Sequence, residues 1–433
     1  MRIFIGLAEV SGYYTGLKEG FDELGVESIH VSLQDHPFKY ENPESIPFAY
    51  KLSKYCVTKR VKKMEKGFHW KWFWSGLVLI SRLILFLWAL CKYDVFLLSC
   101  GNSFFRFKEF PILKFLGKKI IYIFHGTDSR PAYIDGFAQE ISNIFENGIG
   151  DSIIRKYLAM SCRRWHDVKR VERYADVIIQ NLPTGIFHER PFVHFLIAGI
   201  PIRKNKLLPS SGDRRKEDEV KILHSPSHKE GKGTEEIRGA IKSLKKKGYK
   251  IDYIEISGKP NIEVLKEIQN CDFVIDQLYS NTPMAGFATE AAMYGKPAVV
   301  GGYYSKHITA DLRPEFIPPS LYCLPEKIEQ AIERLILDEN FRVELGRKAS
   351  DFVNTNWSAK SVALRYLSLI HGDFPREWLY DPREIQFVCC AGLNNEKAKI
   401  IIRSIVEKYG RKALCLCDKP ELEQKFIDFA YGK

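Results

Sequence analysis

Along this chain, short unbroken apolar runs alternate with longer stretches in which apolar residues recur at every third or fourth position. The first pattern predicts buried parallel strands and the second amphipathic helices. Residues 2–6 form the first run. Tyr14, Leu17, Phe21 and Leu24 then mark one face of a helix that Gly25 ends, and 26–33 is a second run. This opening predicts a Rossmann-like unit. Further runs follow at 93–101, 120–124 and 175–183, with a basic helix over 151–175 and a proline-containing turn after 192–202. The stretch 208–219, LPSSGDRRKEDE, is polar and rich in turn formers, which predicts a linker. Beyond it the pattern restarts, with runs at 220–226, 251–257, 271–278 and 295–300. Helices over 325–353 and 357–370, a crossover at 374–382 and a strand-helix-strand-helix tail from Ile385 complete the chain. The expected domains are 1–207, 208–371 and 372–433.

The richest stretch is 271–300, CDFVIDQLYSNTPMAGFATEAAMYGKPAVV. It reads as strand, polar loop, short helix and strand. Glu290, on the helix, then lies beside the carboxyl edge of a parallel sheet, where open α/β sheets bind ligands. A carboxylate there can accept two hydrogen bonds from a diol such as a ribose. The competing reading is a solvated helix residue. In 227–234, Ser227, His228, Lys229, Lys232 and Gly233 lie between a strand end and a helix start. Backbone N–H groups with lysines alongside suit a diphosphate, although the pattern is not a Walker A loop. A surface lysine cluster is the plain alternative. His125 and Asp128 follow the run at 120–124, with Gly126 between them. They read as site residues at a strand end, or as a structural histidine and a capping aspartate. The first loop holds only Gly6 and Gly12, so it is no G-x-G-x-x-G fingerprint.

The net charge of +12 over 433 residues, with a pI near 9.0, favours a polyanionic partner. No nucleic-acid module signature accompanies it, so a nucleic-acid binder ranks last. Ten scattered cysteines show no paired zinc spacing, which fits a reducing cytosol. The N-terminus enters a strand without the pattern of a signal peptide. Residues 59–74, KRVKKMEKGFHWKWFW, join cations to three tryptophans and suggest contact with an anionic membrane surface. The apolar run 77–90 carries Arg82 and leads at once into the next core strand. It is therefore expected to be a buried domain helix and not a membrane span.

At HSPSHKEGKGT and DQLYSNTPMAGFATEAAMYGKPAVV the chain resembles the family 4-like retaining glycosyltransferases of GT-B fold, over roughly residues 1–370. The resemblance implies an α/β protein of GT-B type: two Rossmann-like domains facing across a cleft, here with a small extra C-terminal α/β unit. It implies that Glu290 binds the nucleotide ribose and that Lys232, with His228 or Lys229, binds the diphosphate. Backbone N–H groups around Ala285 and Gly286 would hold the β-phosphate, and His125 would sit near the donor sugar as the candidate catalytic residue. Gly12 and Asp128 would line the cleft. Thr282 stands where the family often has a second glutamate. No cofactor or metal is expected, and no Asp-x-Asp occurs in the chain. The function so implied is a metal-independent, retaining transfer of sugar from a nucleotide-sugar donor to a glycan or lipid-linked acceptor in cell-surface polysaccharide biosynthesis. The enzyme would be cytoplasmic and peripheral to the inner face of the membrane. A non-catalytic nucleotide- or glycan-binding protein on the same shell is the alternative.

Overall fold

The structure is a computed structural model and describes residues 1–33, 47–63, 68–99, 103–137, 150–203 and 219–433. The expected linker, apart from Glu219, lies outside these residues. The apolar runs of the first half become β1 (Ile3–Leu7), β2 (Ser28–Ser32), β3 (Val95–Ser99), β4 (Lys119–Ile123), β5 (Val177–Gln180) and β6 (Phe192–His194). Those of the second half become β7 (Val220–His224), β8 (Ile251–Glu255), β9 (Phe273–Gln277) and β10 (Ala298–Gly301); β11 (Leu321–Cys323) and β12 (Leu379–Tyr380), for which no apolar run was named, follow.

Among the described residues these strands form two sheets, ordered β12-β6-β5-β4-β3-β1-β2 and β11-β10-β9-β7-β8. All neighbours pair in parallel except β12, which runs antiparallel to β6. β1 and β3 are buried along their whole length because helices cover both faces of the sheet, which is why they read as unbroken apolar runs. Each sheet reverses its winding once, between β1 and β3 and between β7 and β9. Loops leaving a sheet at such a reversal part to opposite faces and open a crevice.

The helix Ala359–His371 belongs by chain order to the second half but packs on the first. Gly16 and Gly20 lie one turn apart on the helix Tyr13–Glu23. A Cβ on Gly20 would stand 2.0 Å from the carbonyl oxygen of Ala359, and one on Gly16 2.5 Å from that of Pro201. Only glycine permits backbone contact this close. The Tyr13 and Tyr366 hydroxyls meet at 2.7 Å across the same interface. Where the chain leaves the first domain and where it returns are joined: Ile202 N donates to Trp357 O at 2.8 Å, and Ile202 bridges Ser358.

Two expectations need correction. The tail is not strand-helix-strand-helix. It forms the helices Asn395–Tyr409 and Pro420–Tyr431 with a short turn of helix at Arg411–Leu414. Ile385, Cys390 and Leu393 are buried in the core of the first domain, and Ala391 makes only an isolated bridge to Asp135. An apolar run records burial, and here burial comes without strand pairing. The helix expected over 77–90 extends over Phe68–Lys92 and is buried on one face only. Val78, Leu85, Phe86 and Ala89 pack inwards, whereas Leu79, Ile80, Leu83 and Leu87 are exposed.

Candidate functional site

The loops that follow β7 and β9 leave the second sheet at its reversal of winding and meet there. After β7, His228 caps the short helix Lys229–Lys232: its Nδ1 accepts from Gly231 N at 3.0 Å. Gly233 then turns the chain at φ 69°, and a Cβ there would stand 2.5 Å from Cβ of Leu278. The glycine lets this loop pass under the end of β9. It also brings Lys232 inwards, where Nζ donates to Gln277 Oε1 at 2.8 Å and lies 3.4 Å from Asp276 Oδ1. After β9 the loop leads into the helix Gly286–Met293, whose first residue follows Ala285. Glu290, one turn in, has its two carboxylate oxygens 2.9 and 3.1 Å from Asn261 Nδ2.

Ser227, Lys232, Ala285, Gly286 and Glu290 line one cavity of about 180 Å³ together with Ser11 of the first domain. Ser11 lies across the cleft from the start of the Gly286–Met293 helix, its Cβ 3.6 Å from where a Cβ on Gly286 would be. The first turn of a helix leaves N–H groups without partners inside the helix. Lys232 and Lys259 line the same cavity, and with these N–H groups they make it suited to an anion. Glu290 and Asn261 supply hydrogen-bonding groups for a polyol. Lys259 and Asn261 were not singled out from sequence. They follow β8 in a loop, GKPN, whose only signal is a lysine among turn formers.

The remaining sequence candidates lie elsewhere. Lys229 points outwards and pairs with Glu255 at 3.0 Å. Gly12, at φ 82°, begins the Tyr13–Glu23 helix. The loop before it is organised by Glu9, which the sequence reading missed. The buried Glu9 carboxylate accepts from Val10 N, Tyr14 N, Thr15 N and Thr15 Oγ1 at 2.5–3.2 Å. A lone carboxylate in the turn between strand and helix was the available clue. His125 follows β4 by two residues and lies among Tyr13, Tyr14 and Phe195, with the Tyr14 hydroxyl 2.7 Å from Nε2. Burial pushes its pKa down to about 4 against a weaker pull from Glu9, so it is a neutral imidazole near pH 7. Asp128 caps its own turn, with Oδ1 accepting from His125 N and Gly126 N at 3.0 Å each. It lines a different cavity, beside Phe107, Tyr122, Arg163 and Arg164. Burial raises its pKa to about 6 against those two hydrogen bonds. Thr282 binds the domains together: Asn181 Nδ2 donates to Asn281 O at 2.7 Å and to Thr282 Oγ1 at 3.1 Å.

Two parallel, doubly wound sheets facing across a cleft, with a C-terminal helix returning to the first, define the GT-B fold, and this chain has it. Among solved structures it is similar to a trehalose-6-phosphate synthase studied with bisubstrate glycomimetics for glycosyl transfer with retention. That similarity has a TM-score of 0.50 at 11% identity and covers 86% of this chain and 99% of that one. Anabaena HepE in complex with UDP (TM-score 0.45, 11% identity, covering 86% of this chain and 100% of that one) also matches. So does the S. aureus MnaA–UDP co-structure (0.43, 12%, 86% and 98%). No family model matches the sequence, and no curated protein does.

Proposed function

We propose that the protein is a glycosyltransferase that binds a nucleotide-sugar between its two domains and moves the sugar to a glycan or lipid-linked glycan acceptor of cell-surface polysaccharide biosynthesis. The observation that carries this reading is the meeting of Lys232, Glu290 and the start of the Gly286–Met293 helix in one cavity at the reversal of the second sheet. In this reading Glu290 accepts from the ribose hydroxyls, and Lys232 with the helix N–H groups holds the diphosphate. As the bond between the anomeric carbon and the phosphate oxygen breaks, its electrons move onto the diphosphate, and the same cations and N–H groups stabilise that charge. The acceptor hydroxyl oxygen forms the new bond, on the face the diphosphate leaves if the course is retaining, and its proton passes to the departing phosphate oxygen. In the same reading neutral His125, which follows β4 in the first domain, hydrogen-bonds the donor sugar.

A second reading, a nucleotide- or glycan-binding protein without turnover, is favoured by one observation. Thr282, where the resemblance would place a second carboxylate, is used to clamp the domains. Thermal shift against UDP-, GDP-, ADP- and CMP-sugars, followed by transfer and donor-hydrolysis assays with and without EDTA, separates the two. Stabilisation by one nucleotide class with EDTA-resistant turnover supports the enzyme. Stabilisation without turnover supports a nucleotide binder, and no response to any nucleotide sinks the enzyme and leaves only glycan binding.

A further inference from the structure

The helix Phe68–Lys92 has two apolar faces. Val78, Leu85, Phe86 and Ala89 belong to the core of the first domain. Trp72, Leu79, Ile80, Leu83, Ile84 and Leu87 face outwards, each at least 39% exposed. With Gly76 and Cys91 they recur at three- and four-residue steps and form a single stripe. Between Trp72 and Cys91 the only charged residue is Arg82, which is half-buried. A surface helix of a soluble domain carries polar residues on that side, and a continuous exposed apolar stripe marks a contact face. Residues Trp72–Lys92 are long and apolar enough to cross a membrane by length and composition. A crossing, however, would pull Val78, Leu85, Phe86 and Ala89 out of the domain core. The geometry suits a helix lying in an interface plane.

Beside the stripe runs a groove of about 1160 Å³ to which Leu79 also belongs. Arg60, Arg82, Arg106, Lys108, Arg163 and Arg170 line it, against only two carboxylates, Glu109 and Asp167. Glu109 already accepts from Phe104 N and Phe105 N at 2.9 and 3.1 Å. Asp167 lies 3.9 Å from Arg163. The Nε atoms of Arg60 and Arg82 are buried without a hydrogen-bond partner. Desolvation, with Arg60 close by, holds the pKa of Arg82 below its ordinary value, as expected of cations gathered in excess of their counter-charges. An apolar stripe bordered by surplus guanidinium groups is complementary to one kind of surface: acyl chains beneath a layer of phosphates.

We propose that this face docks on an anionic bilayer, the outer stripe of the Phe68–Lys92 helix entering the acyl boundary and the arginine-lined groove holding a lipid phosphate. The surface differs from the 59–74 segment read from sequence. It uses residues up to Leu87, and 64–67 lie outside the described residues. It does not depend on the identity of the donor. It makes the protein a peripheral one whose first domain faces the membrane.

The test is co-sedimentation of the full chain with vesicles of phosphatidylcholine alone and of phosphatidylcholine and phosphatidylglycerol in equal parts. Binding to the anionic vesicles, weakened by salt, is expected. Leu83→Glu with Leu87→Glu, both at exposed positions, should weaken it about tenfold or more. Arg60→Gln with Arg82→Gln should weaken it about fivefold per cation removed. Should that pair disturb folding, the exposed Arg106→Gln with Lys108→Gln gives the same reading. Nucleotide binding measured in the same variants should not change, which keeps this proposal separate from the glycosyl-transfer reading. Five results would each overturn it. The protein could ignore both vesicles or bind them equally. The glutamate pair could bind like the parent chain. A lipid-free dimer that the glutamates dissolve would show that a second copy covers the stripe. Resistance to alkaline carbonate would show that the helix spans.

Discussion

Replacing Lys232 by alanine should produce two effects that can be pulled apart. The first is on stability. Lys232 Nζ lies 3.4 Å from Oδ1 of Asp276, whose side chain is 0% exposed. The other carboxylate oxygen is buried without a hydrogen-bond partner. At that distance two unit charges attract by about 5 kcal/mol at an effective dielectric of about 20. Desolvation offsets part of this attraction, but removing one partner of a buried pair leaves the other uncompensated and costs about 3–5 kcal/mol. Gln277 and nearby solvent remain, so the lower end, about 3 kcal/mol, is expected. The second effect is on ligand binding, where loss of a charge-assisted hydrogen bond to a diphosphate costs about 1.5–3 kcal/mol, roughly tenfold to hundredfold in Kd. Adding Asp276→Asn removes the stranded charge. The double variant should regain most of the lost stability and none of the lost affinity. Urea unfolding measures the first effect, and calorimetry with the nucleotide found by thermal shift measures the second. If Lys232→Ala unfolds at the parent urea concentration, the buried-pair argument is wrong. If the double variant binds nucleotide as the parent does, Lys232 is only a structural lysine and the proposed diphosphate site loses its buried cation.

Glu290→Gln keeps the shape of the side chain and exchanges a charged acceptor for a neutral amide. Nucleoside affinity should fall about tenfold in calorimetry, and equal affinity would remove Glu290 from the site. Gly20→Ala places a Cβ 2.0 Å from the carbonyl oxygen of Ala359 and should cost about 1–3 kcal/mol in urea unfolding; an unchanged midpoint would mean the two helices can slide apart freely. His194 is buried, and desolvation lowers its pKa to about 3. Between pH of about 6.5 and about 3 the unfolded chain therefore binds a proton that the native state refuses, and stability falls on acidification by about 1.4 kcal/mol per pH unit. His194→Asn can still cap the helix Phe195–Ala198, as His194 does through Leu196 N, and should flatten the profile in that window. Raised carboxylates such as Asp128 act in the opposite sense, so the difference between parent and variant is the quantity to read. Identical slopes would mean that His194 is not buried as a neutral group.

The inner strands of both sheets were legible because fully covered parallel strands leave unbroken apolar runs, and such runs need no long-range knowledge to find, whereas the short, half-exposed edge strands β11 and β12 leave none. The cavity was legible in part. Lys232 and Glu290 sit at strand ends that the Rossmann pattern places at one edge, so chain order alone brings them together. Ser11 and Asn261 reach the same cavity from another domain and another loop, and no local pattern marks them. Glu9 was invisible for a different reason: a carboxylate in a turn reads as solvated until the backbone wraps it with donors. The Phe68–Lys92 helix shows the opposite limit. Hydropathy reported that it is apolar, but one apolar face against protein and another left open have the same composition. Only the packing distinguishes them.

The pairing of Ile202 with Trp357 and Ser358 has a mechanical consequence. The second domain hangs on two strands of chain that are fastened side by side at one point. A body held at a single seam turns about it as a door about its hinge, with little freedom to slide or twist away. Other contacts hold the second domain away from this seam: Asn181 to the Asn281–Thr282 loop, Gly392 N to Tyr279 O at 2.8 Å, and His307 stacked on Phe387 with ring centroids 4.1 Å apart. Asn181→Ala should loosen the door without touching its hinge, and small-angle scattering would register a larger radius of gyration that nucleotide restores.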